Sequence, residues 1–481
     1  MNFLWYDLET YGVDPKCDRI VQFGAIRTDE ELNVIGDECS IFSEIADDYL
    51  PDPKACLVHG FTPRNLSESQ LRECDFADKI SKLMCEPGTC AVGFNNNFFD
   101  DEFIRFLFYR NLLDPYTWHW RGGNSRWDIL NLARTISALR PSAIDVKITE
   151  MGYSFKLQDL AESNNVASET AHDALSDVKT TLGLASVFKS QADDIFYASY
   201  RMREKAVVSE FIKSHRLMPV IYTSRYIPSS LKSTSIVVPV CRHPSYTGCY
   251  VAIDLRHDIS RLLTDSAEEL RRLLFSKNIG RTYPLCKPRI HVIKLNACPS
   301  LYDMKLASEL SIKEMGFTCS EIDSTVDKIK GKESIIINKI QGIFHGAPAR
   351  ESDLDPEKQL YDNFLDDDDR TKCEYFLSQL RLGIITPTTI FTDRRLKDIA
   401  WRYLHRNYPN KRSSTESEKR WQKFVLNRLT VDKQGYGSSY IEENKQEIIC
   451  MQQESTSSSR DMAVLSELLT RLEFLQSKYI K

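Results

Sequence analysis

Acids in three ordered groups are the features of this chain that suggest a reaction. Asp7 and Glu9 stand in the run Phe3-Leu4-Trp5-Tyr6-Asp7-Leu8-Glu9-Thr10, which reads as a buried strand interrupted by charge. Side chains two apart on a strand point to the same face, so the two carboxylates emerge together. Side by side they repel, and a hard divalent cation between them lets both stay ionised at neutral pH. A solvated strand end has the same local pattern, so the metal reading depends on partner acids further along. Asn95-Asn96-Asn97-Phe98-Phe99-Asp100-Asp101-Glu102-Phe103 supplies them, after the short strand Cys90–Phe94 and at the start of a helical pattern through Tyr109. Capping of the helix dipole accounts for one acid there. The delivery of several to a strand end gives Asp100 a metal role beside Asp7 and Glu9. A third group, His172 and Asp177, lies at the start of a helix running from about Glu169 to Phe188. On a continuous helix, residues five apart face about 140° away from each other. If His172 instead lies in the loop before the first turn, it can reach over the site while Asp177 projects from the helix. Four carboxylates, Asp7, Glu9, Asp100 and Asp177, suit two Mg2+ or Mn2+ ions about 4 Å apart in a phosphodiester cleavage. His172 is then the general base that takes the proton of the attacking water.

Periodicity indicates the strands and helices that carry these groups. Ile20–Thr28 alternates as a second strand, and Glu30–Asn33 turns into a third over Val34–Phe42, giving an antiparallel meander. Phe76–Met84 reads as an amphipathic helix, and Ser154–Ala161 starts another. Asp114–Asp128 is rich in aromatic and basic groups, with Arg105 on the preceding helix. Such groups suit unpaired bases and a phosphate backbone, whereas Trp118 and Trp127 suit packing. From Gln191 to Gly342 the chain is basic, with Tyr197, Tyr200, Arg201, Arg203 and Lys205 interleaved and strands at Val237–Val240 and Tyr250–Leu255. Ala347–Pro356 has the composition of a linker. Beyond it the pattern is helical over Gln359–Phe364, Cys373–Leu382, Leu396–Asn407, Glu416–Leu429 and Met462–Tyr479, with Gln452–Arg460 as a polar loop.

The whole chain has 481 residues, enough for two to four domains, with 42% hydrophobic and 27% charged residues, as expected of a soluble protein. The first apolar run is short and soon meets Asp7, so it is expected to be neither a signal peptide nor a membrane span, and the location to be cytoplasmic. The 13 cysteines are scattered without Cys-x-x-Cys pairs, which argues against a disulfide framework or a zinc finger. Net charge is only -5, but residues 1–100 hold 8 Lys/Arg against 19 Asp/Glu while residues 201–300 hold 17 against 7. An acidic, metal-binding first segment beside a basic middle one suits a polyanion substrate.

The order Asp-x-Glu, Asn-x-x-Phe-Asp and His-x-x-x-x-Asp resembles the DEDDh family of 3′-to-5′ exonucleases, through Asp7, Glu9, Asn96, Phe99, Asp100, His172 and Asp177. Asn124-Ser125-Arg126-Trp127-Asp128, Tyr109-Arg110-Asn111 with Asp114-Pro115-Tyr116, and Gln359-Leu360-Tyr361 are similar to its bacterial exodeoxyribonuclease I branch, nearly end to end. The resemblance implies an α/β architecture: an RNase H-like mixed-sheet exonuclease domain at 1–190, an SH3-like β domain at 191–346 and a helical C-terminal domain at 347–481. It implies processive 3′-to-5′ digestion of single-stranded DNA to 5′-mononucleotides with Mg2+, in DNA repair, by a monomer. By position, Glu9 and Lys156 would bind the substrate, and Arg105, Tyr116, Trp120, Lys205 and Tyr361 would contact DNA. Lys156 stands where relatives have arginine, so a bidentate phosphate contact is not implied. The family also docks the acidic tail of single-strand-binding protein; Arg140 before Pro141 matches part of that surface, whereas Leu306–Phe317 departs from it. Two other readings share these residues: an RNA exonuclease of the same superfamily, and a non-catalytic single-strand-binding scaffold.

Overall fold

Phe3, Leu4, Trp5 and Tyr6 are each at most 2% exposed, and the run they head forms β1, Asn2–Thr10. The computed structural model describes residues 1–63, 70–167, 172–275, 289–345, 353, 355–411, 415–431, 440–454 and 458–480. β1 is central. It pairs antiparallel with β2, Ile20–Thr28, and parallel with β5, Thr89–Gly93. β3, Cys39–Ser43, and β4, Gln70–Leu71, extend the β2 side, giving the order β4-β3-β2-β1-β5. A strand covered on both faces reads as a continuous apolar run, which is why charge inside β1 stands out. The third strand is shorter than the expected Val34–Phe42: Val34 makes only an isolated bridge to Thr28, and regular pairing begins at Cys39. Asp29, whose carboxylate accepts from the backbone N–H groups of Glu31 and Asn33, turns the chain out of the ladder there.

The chain forms two compact units. The first comprises Met1–Asn124, Glu169–Lys179 and Glu351–Lys481. Within it, after the short α1, Pro53–His59, the helices α2, Glu73–Met84, and α3, Asp100–Arg110, pack Phe76, Ile80, Phe103 and Leu107 on the sheet. Tyr11, Val21 and Cys56 of the N-terminal segment share a second core with Trp421, Val425, Ile448 and Leu468 of the C-terminal helices. The C-terminal segment folds as Asp367–Arg381, Arg394–Asn407, Thr415–Thr430, Tyr440–Glu454 and Ser459–Tyr479. Gln359–Phe364 is not the helix its pattern suggested. A 3-10 turn, Pro356–Lys358, precedes it, and Arg395 draws in the carbonyls of Gln359 and Asn363. The described end of the expected linker is likewise no spacer, because Asp355 and Glu357 sit inside a cluster of arginines. Arg406 joins Asp48 at 2.7 Å and Glu357 at 2.9 Å, while Arg428 joins Asp355 at 2.7 Å and Glu357 at 2.9 Å. Arg110 holds Glu73 at 2.9 Å. The remainder of the expected linker, except residue 353, lies outside the described residues. Most of the expected polar loop Gln452–Arg460 is helical at its two ends, with residues 455–457 outside the description.

The second unit comprises Ser125–Ser168 and Thr180–Arg350. Its five antiparallel strands run in the order Ile290–Lys294, Cys249–Asp254, Thr234–Arg242, Val220–Thr223, Ser300–Asp303. Val220, Val237, Ala252, Ile293 and Leu301 form its core with Val208 and Ile212 from the helix Lys205–Ser214. The unit is more helical than the sequence pattern implied: Asp193–Arg201, Cys319–Gly331 and Glu333–Phe344 are also helices. Among the described residues, no helix is long and apolar enough to cross a membrane.

Candidate active site

The site is built on the carboxyl end of β1. Asp7 pairs in register with Gly24 and Glu9 with Gln22, so β2 presents those two residues beside the acids. Gly24 is required by a close approach: a Cβ there would lie 2.5 Å from the carbonyl carbon of Ala174 and 2.5 Å from the nitrogen of Leu175. The missing side chain lets the helix Ala174–Gln191 press its first turn onto the sheet and deliver Asp177 there. Gln22 locks that turn in place. Its Nε2 donates to Asp173 Oδ2 at 2.9 Å, and its Oε1 accepts from the N–H of Ala174 at 3.0 Å. Asp173 in turn accepts from the N–H of Ser176 at 3.0 Å, an N-terminal cap. His172 precedes the helix with φ +64°, exposed, in the loop position that the spacing argument required. Donor atoms of Glu9, His172 and Asp177 all lie within 4.8 Å of one another.

The three acids that open α3 divide their work. Asp101 is fully buried and accepts from Tyr6 Oη at 2.5 Å and Asn96 Nδ2 at 3.3 Å, tying the helix start to β1. Glu102 pairs with Arg105, and its other oxygen accepts from Tyr361 Oη at 2.5 Å. Asp100, 4% exposed, faces the other acids: its charge raises the pKa of both Asp7 and Glu9.

Burial pushes the Asp7 carboxyl well above the usual carboxylate range, with Asp100, Glu9, Asp177 and Asp173 adding to it. Burial, then the charges of Asp177, Asp100 and Asp173, pushes Glu9 up to about 8. Among the described residues no side chain hydrogen-bonds or ion-pairs with Asp7 or Glu9. Buried carboxylates without a protein partner are costly, and oxygen donors gathered in this way are the donor set of a hard divalent cation. The residues fit a metal. His172 is held below the ordinary histidine value by partial burial and then by Arg460.

The remaining expected contacts fall in different places. Arg105 is 8% exposed against Glu102, and Tyr361 shares that carboxylate. Tyr116 is half-buried with its ring edge-on to Phe364, and Trp120 is 60% exposed. These four belong to the first unit. Lys156 and Lys205 are exposed residues of the second unit, each at the start of a helix. Arg140, also of the second unit, donates to the Leu306 carbonyl at 2.6 Å and pairs with Asp194 at 2.9 Å. Trp118 and Trp127 are core residues, as their size suggested. Gln22, Gly24 and Asp173 escaped the sequence reading; a glycine inside a strand was the available signal, and it was not used.

A mixed sheet that gathers acids from β1, α3 and a later helix, with a histidine poised before that helix, defines a metal-dependent exonuclease. Residues 4–185 match the family model described as Exonuclease, 203–346 the Exonuclease I SH3-like domain, and 354–474 the Exonuclease I C-terminal domain. The chain is 34% identical to exodeoxyribonuclease I of Buchnera aphidicola subsp. Acyrthosiphon pisum (strain APS), covering 85% of this chain and 97% of that one. It is 32% identical to exodeoxyribonuclease I of Escherichia coli (strain K12), covering 87% and 88%. Among solved structures, E. coli exonuclease I in complex with a dA16 oligonucleotide superposes with a TM-score of 0.89 at 29% identity, covering 98% of this chain and 99% of that one. The chain belongs to the exodeoxyribonuclease I family.

Proposed function

We propose that this nuclease digests single-stranded DNA processively from the 3′ end, releasing 5′-mononucleotides with two Mg2+ ions, and that it serves DNA repair as a cytoplasmic monomer. The observation that carries the reading is the pair of acids on β1, half-buried Asp7 and buried Glu9, which pair with no cation among the described residues and which His172, Asp177 and Asp100 face. The similarity to an exonuclease I bound to a dA16 oligonucleotide supports the substrate class. Asp7, Glu9, Asp100 and Asp177 would hold the cations, which when bound supply Lewis-acid activation of water and of the phosphodiester. His172, neutral through burial, accepts the proton of the attacking water at a ring nitrogen. Gln22 and Asp173 hold the helix start, so that His172 and Asp177 keep their reach to Glu9. We assign Lys156, Lys205, Arg105, Tyr116, Trp120 and Tyr361 to strand contacts, with the domain boundaries at 190/191 and 346/347. The exposed aromatic Trp120 and the exposed lysines suit bases and phosphates. Docking of an acidic single-strand-binding-protein tail near Arg140 belongs to the same proposal.

The experiment is a gel time course with 5′-labelled single-stranded DNA and Mg2+, beside its duplex, its RNA copy and an EDTA control. Metal-dependent shortening of the single-stranded DNA, with few intermediates under a DNA trap, is expected. Preference for RNA would move the chain to an RNA exonuclease, and binding without cleavage under any divalent metal would make it a scaffold.

A further inference from the structure

Arg460 opens the last helix, Ser459–Tyr479, far from the acids in sequence, yet its guanidinium reaches the loop that follows the helix Pro53–His59. It rests against the backbone of Gly60. A Cβ built on that glycine would lie 2.4 Å from one Nη of Arg460, 2.7 Å from its Nε and 2.8 Å from its Cζ. Gly60 has φ +81° and closes the helix Pro53–His59, a left-handed cap that favours glycine. Here the absence of a side chain also makes room for the guanidinium. The next residue back, His59, is 6% exposed, and its Nε2 lies 3.2 Å from the carbonyl oxygen of Thr10, which directly follows Glu9. Arg460 is thus seated on a loop that is itself fastened to the end of β1. Its field reaches both His59 and His172.

The donors of Arg460 are underused. Its one hydrogen bond among the described residues is Nη2 to the Val58 carbonyl at 3.4 Å, a long contact, and no described carboxylate pairs with it. Arg406, which another C-terminal helix directs at the N-terminal segment, behaves differently, taking Asp48 and Glu357 at once. An exposed guanidinium seated on the loop that is fastened to the end of β1, with its field on His172 and no described carboxylate bound to it, is a cation with donors to spare near the place where a polyanionic strand must end. Such a group suits a non-bridging phosphate oxygen, which accepts charge-assisted hydrogen bonds.

We propose that Arg460 is a substrate-binding residue, contacting a phosphate within the last few linkages of the 3′ end of the DNA strand and so anchoring that end over Asp7 and Glu9. The proposal rests on the single-stranded-DNA reading above. It places a strand contact for the nuclease site on the C-terminal segment, through Gly60.

The test compares the wild-type chain with Arg460→Ala, Arg460→Gln and Arg460→Lys. Substrates are single-stranded oligonucleotides carrying one uncharged methylphosphonate at the first, second, third or sixth linkage from the 3′ end. Binding is read by fluorescence anisotropy in EDTA, and turnover in Mg2+. The expected result is about tenfold weaker binding and a raised KM for Arg460→Ala on the fully charged strand. Arg460→Lys should restore part of the loss, and the log-log salt slope of binding should become shallower by about one contact. One neutral linkage among the first three should erase the difference between wild type and Arg460→Ala, while the sixth should leave it intact. An equal penalty on every oligonucleotide, or no penalty at all with an active wild type, would overturn the proposal. A wild type that neither binds nor cuts the charged strand would instead defeat the single-stranded-DNA reading.

Discussion

Replacing Glu9 by glutamine should make the metal-free protein more stable while abolishing its activity, and the size of the effect follows from the geometry. Glu9 is 9% exposed, and burial with the charges of Asp177, Asp100 and Asp173 moves its carboxyl from 4.5 to about 8. Between those values the folded state holds a proton that the unfolded chain releases. The stability of the metal-free protein therefore falls as pH rises from about 4.5 to about 8, and levels off above. At pH 7 the penalty amounts to about 3 kcal/mol as an upper bound, and it approaches about 5 kcal/mol above pH 8, at 1.36 kcal/mol per unit. Glu9→Gln keeps the shape and removes that titration. In EDTA at pH 8 its melting temperature should exceed that of the wild type by several degrees, and at pH 4 the two should converge. Mg2+ should reverse the order, because a cation bound by the folded state stabilises the wild type by mass action and Glu9→Gln has lost a ligand. Differential scanning fluorimetry at pH 4, 6 and 8, with EDTA or Mg2+, reads all of this, with cleavage measured on the same samples. If Glu9→Gln melted at or below the wild-type temperature in EDTA at pH 8, or if Mg2+ raised both proteins equally, the electrostatic account of the site would be wrong.

His172→Ala should lower turnover by about 10²–10⁴-fold with binding in EDTA nearly unchanged. In the wild type, the acidic limb of the turnover profile should fall below the ordinary histidine range, because burial and Arg460 hold His172 there. A pH–rate profile unaltered by the substitution would remove it from the mechanism. Gly24→Ala places a Cβ against Ala174 and Leu175, so the helix bearing Asp177 must move; turnover should drop by about a hundredfold with the circular dichroism spectrum preserved. Wild-type turnover in that variant would show that the close approach does not matter. Glu357→Gln unbalances the arginines around it and should cost about 3–5 kcal/mol, read as a lowered denaturation midpoint. The same cluster sets an acid limit. Arg406 holds Asp48 down to about 2, and the surrounding arginines hold Glu357 well below the carboxylate range, so their stabilisation is full above about pH 4.5 and is lost as pH falls through the folded-state values. An unfolding curve flat from pH 6 to pH 2 would contradict that.

The C-terminal segment has a physical part in the site. Tyr11, two residues after Glu9, donates its N–H to the Arg19 carbonyl, and its own carbonyl accepts from Tyr49 Oη at 3.0 Å. Arg19 and Glu73 stand 3.6 Å apart, and Arg19 also reaches Glu357 at 3.5 Å. The end of β1 is thereby braced by groups from both ends of the chain.

What the sequence determined by itself was local and periodic. Ile20–Thr28 is a strand with the bounds its alternation implied, and the acidic start of α3 follows from the helix preference for negative charge at its N-terminus. The site acids could be singled out because charge in an apolar run is conspicuous, whereas the helix expected from about Glu169 begins at Ala174, which decides for His172 the loop position that the five-residue spacing had left open. The tertiary structure decided what depends on approach between distant segments. Gly24 serves the site because a helix some 150 residues later packs on it, and Gln22 because its amide meets that helix start. Asp355 looked like a linker acid, since nothing in its neighbourhood announces that Arg402 and Arg428 will meet it, or that Glu357 two residues on will be surrounded by Arg402, Arg406 and Arg428. Arg460 sat in a stretch read as polar loop, and only its landing on Gly60 gives it a place at the site. Side-chain period and charge pattern act over a few residues, whereas a pairing of segments hundreds of residues apart is written in the packing of the whole chain.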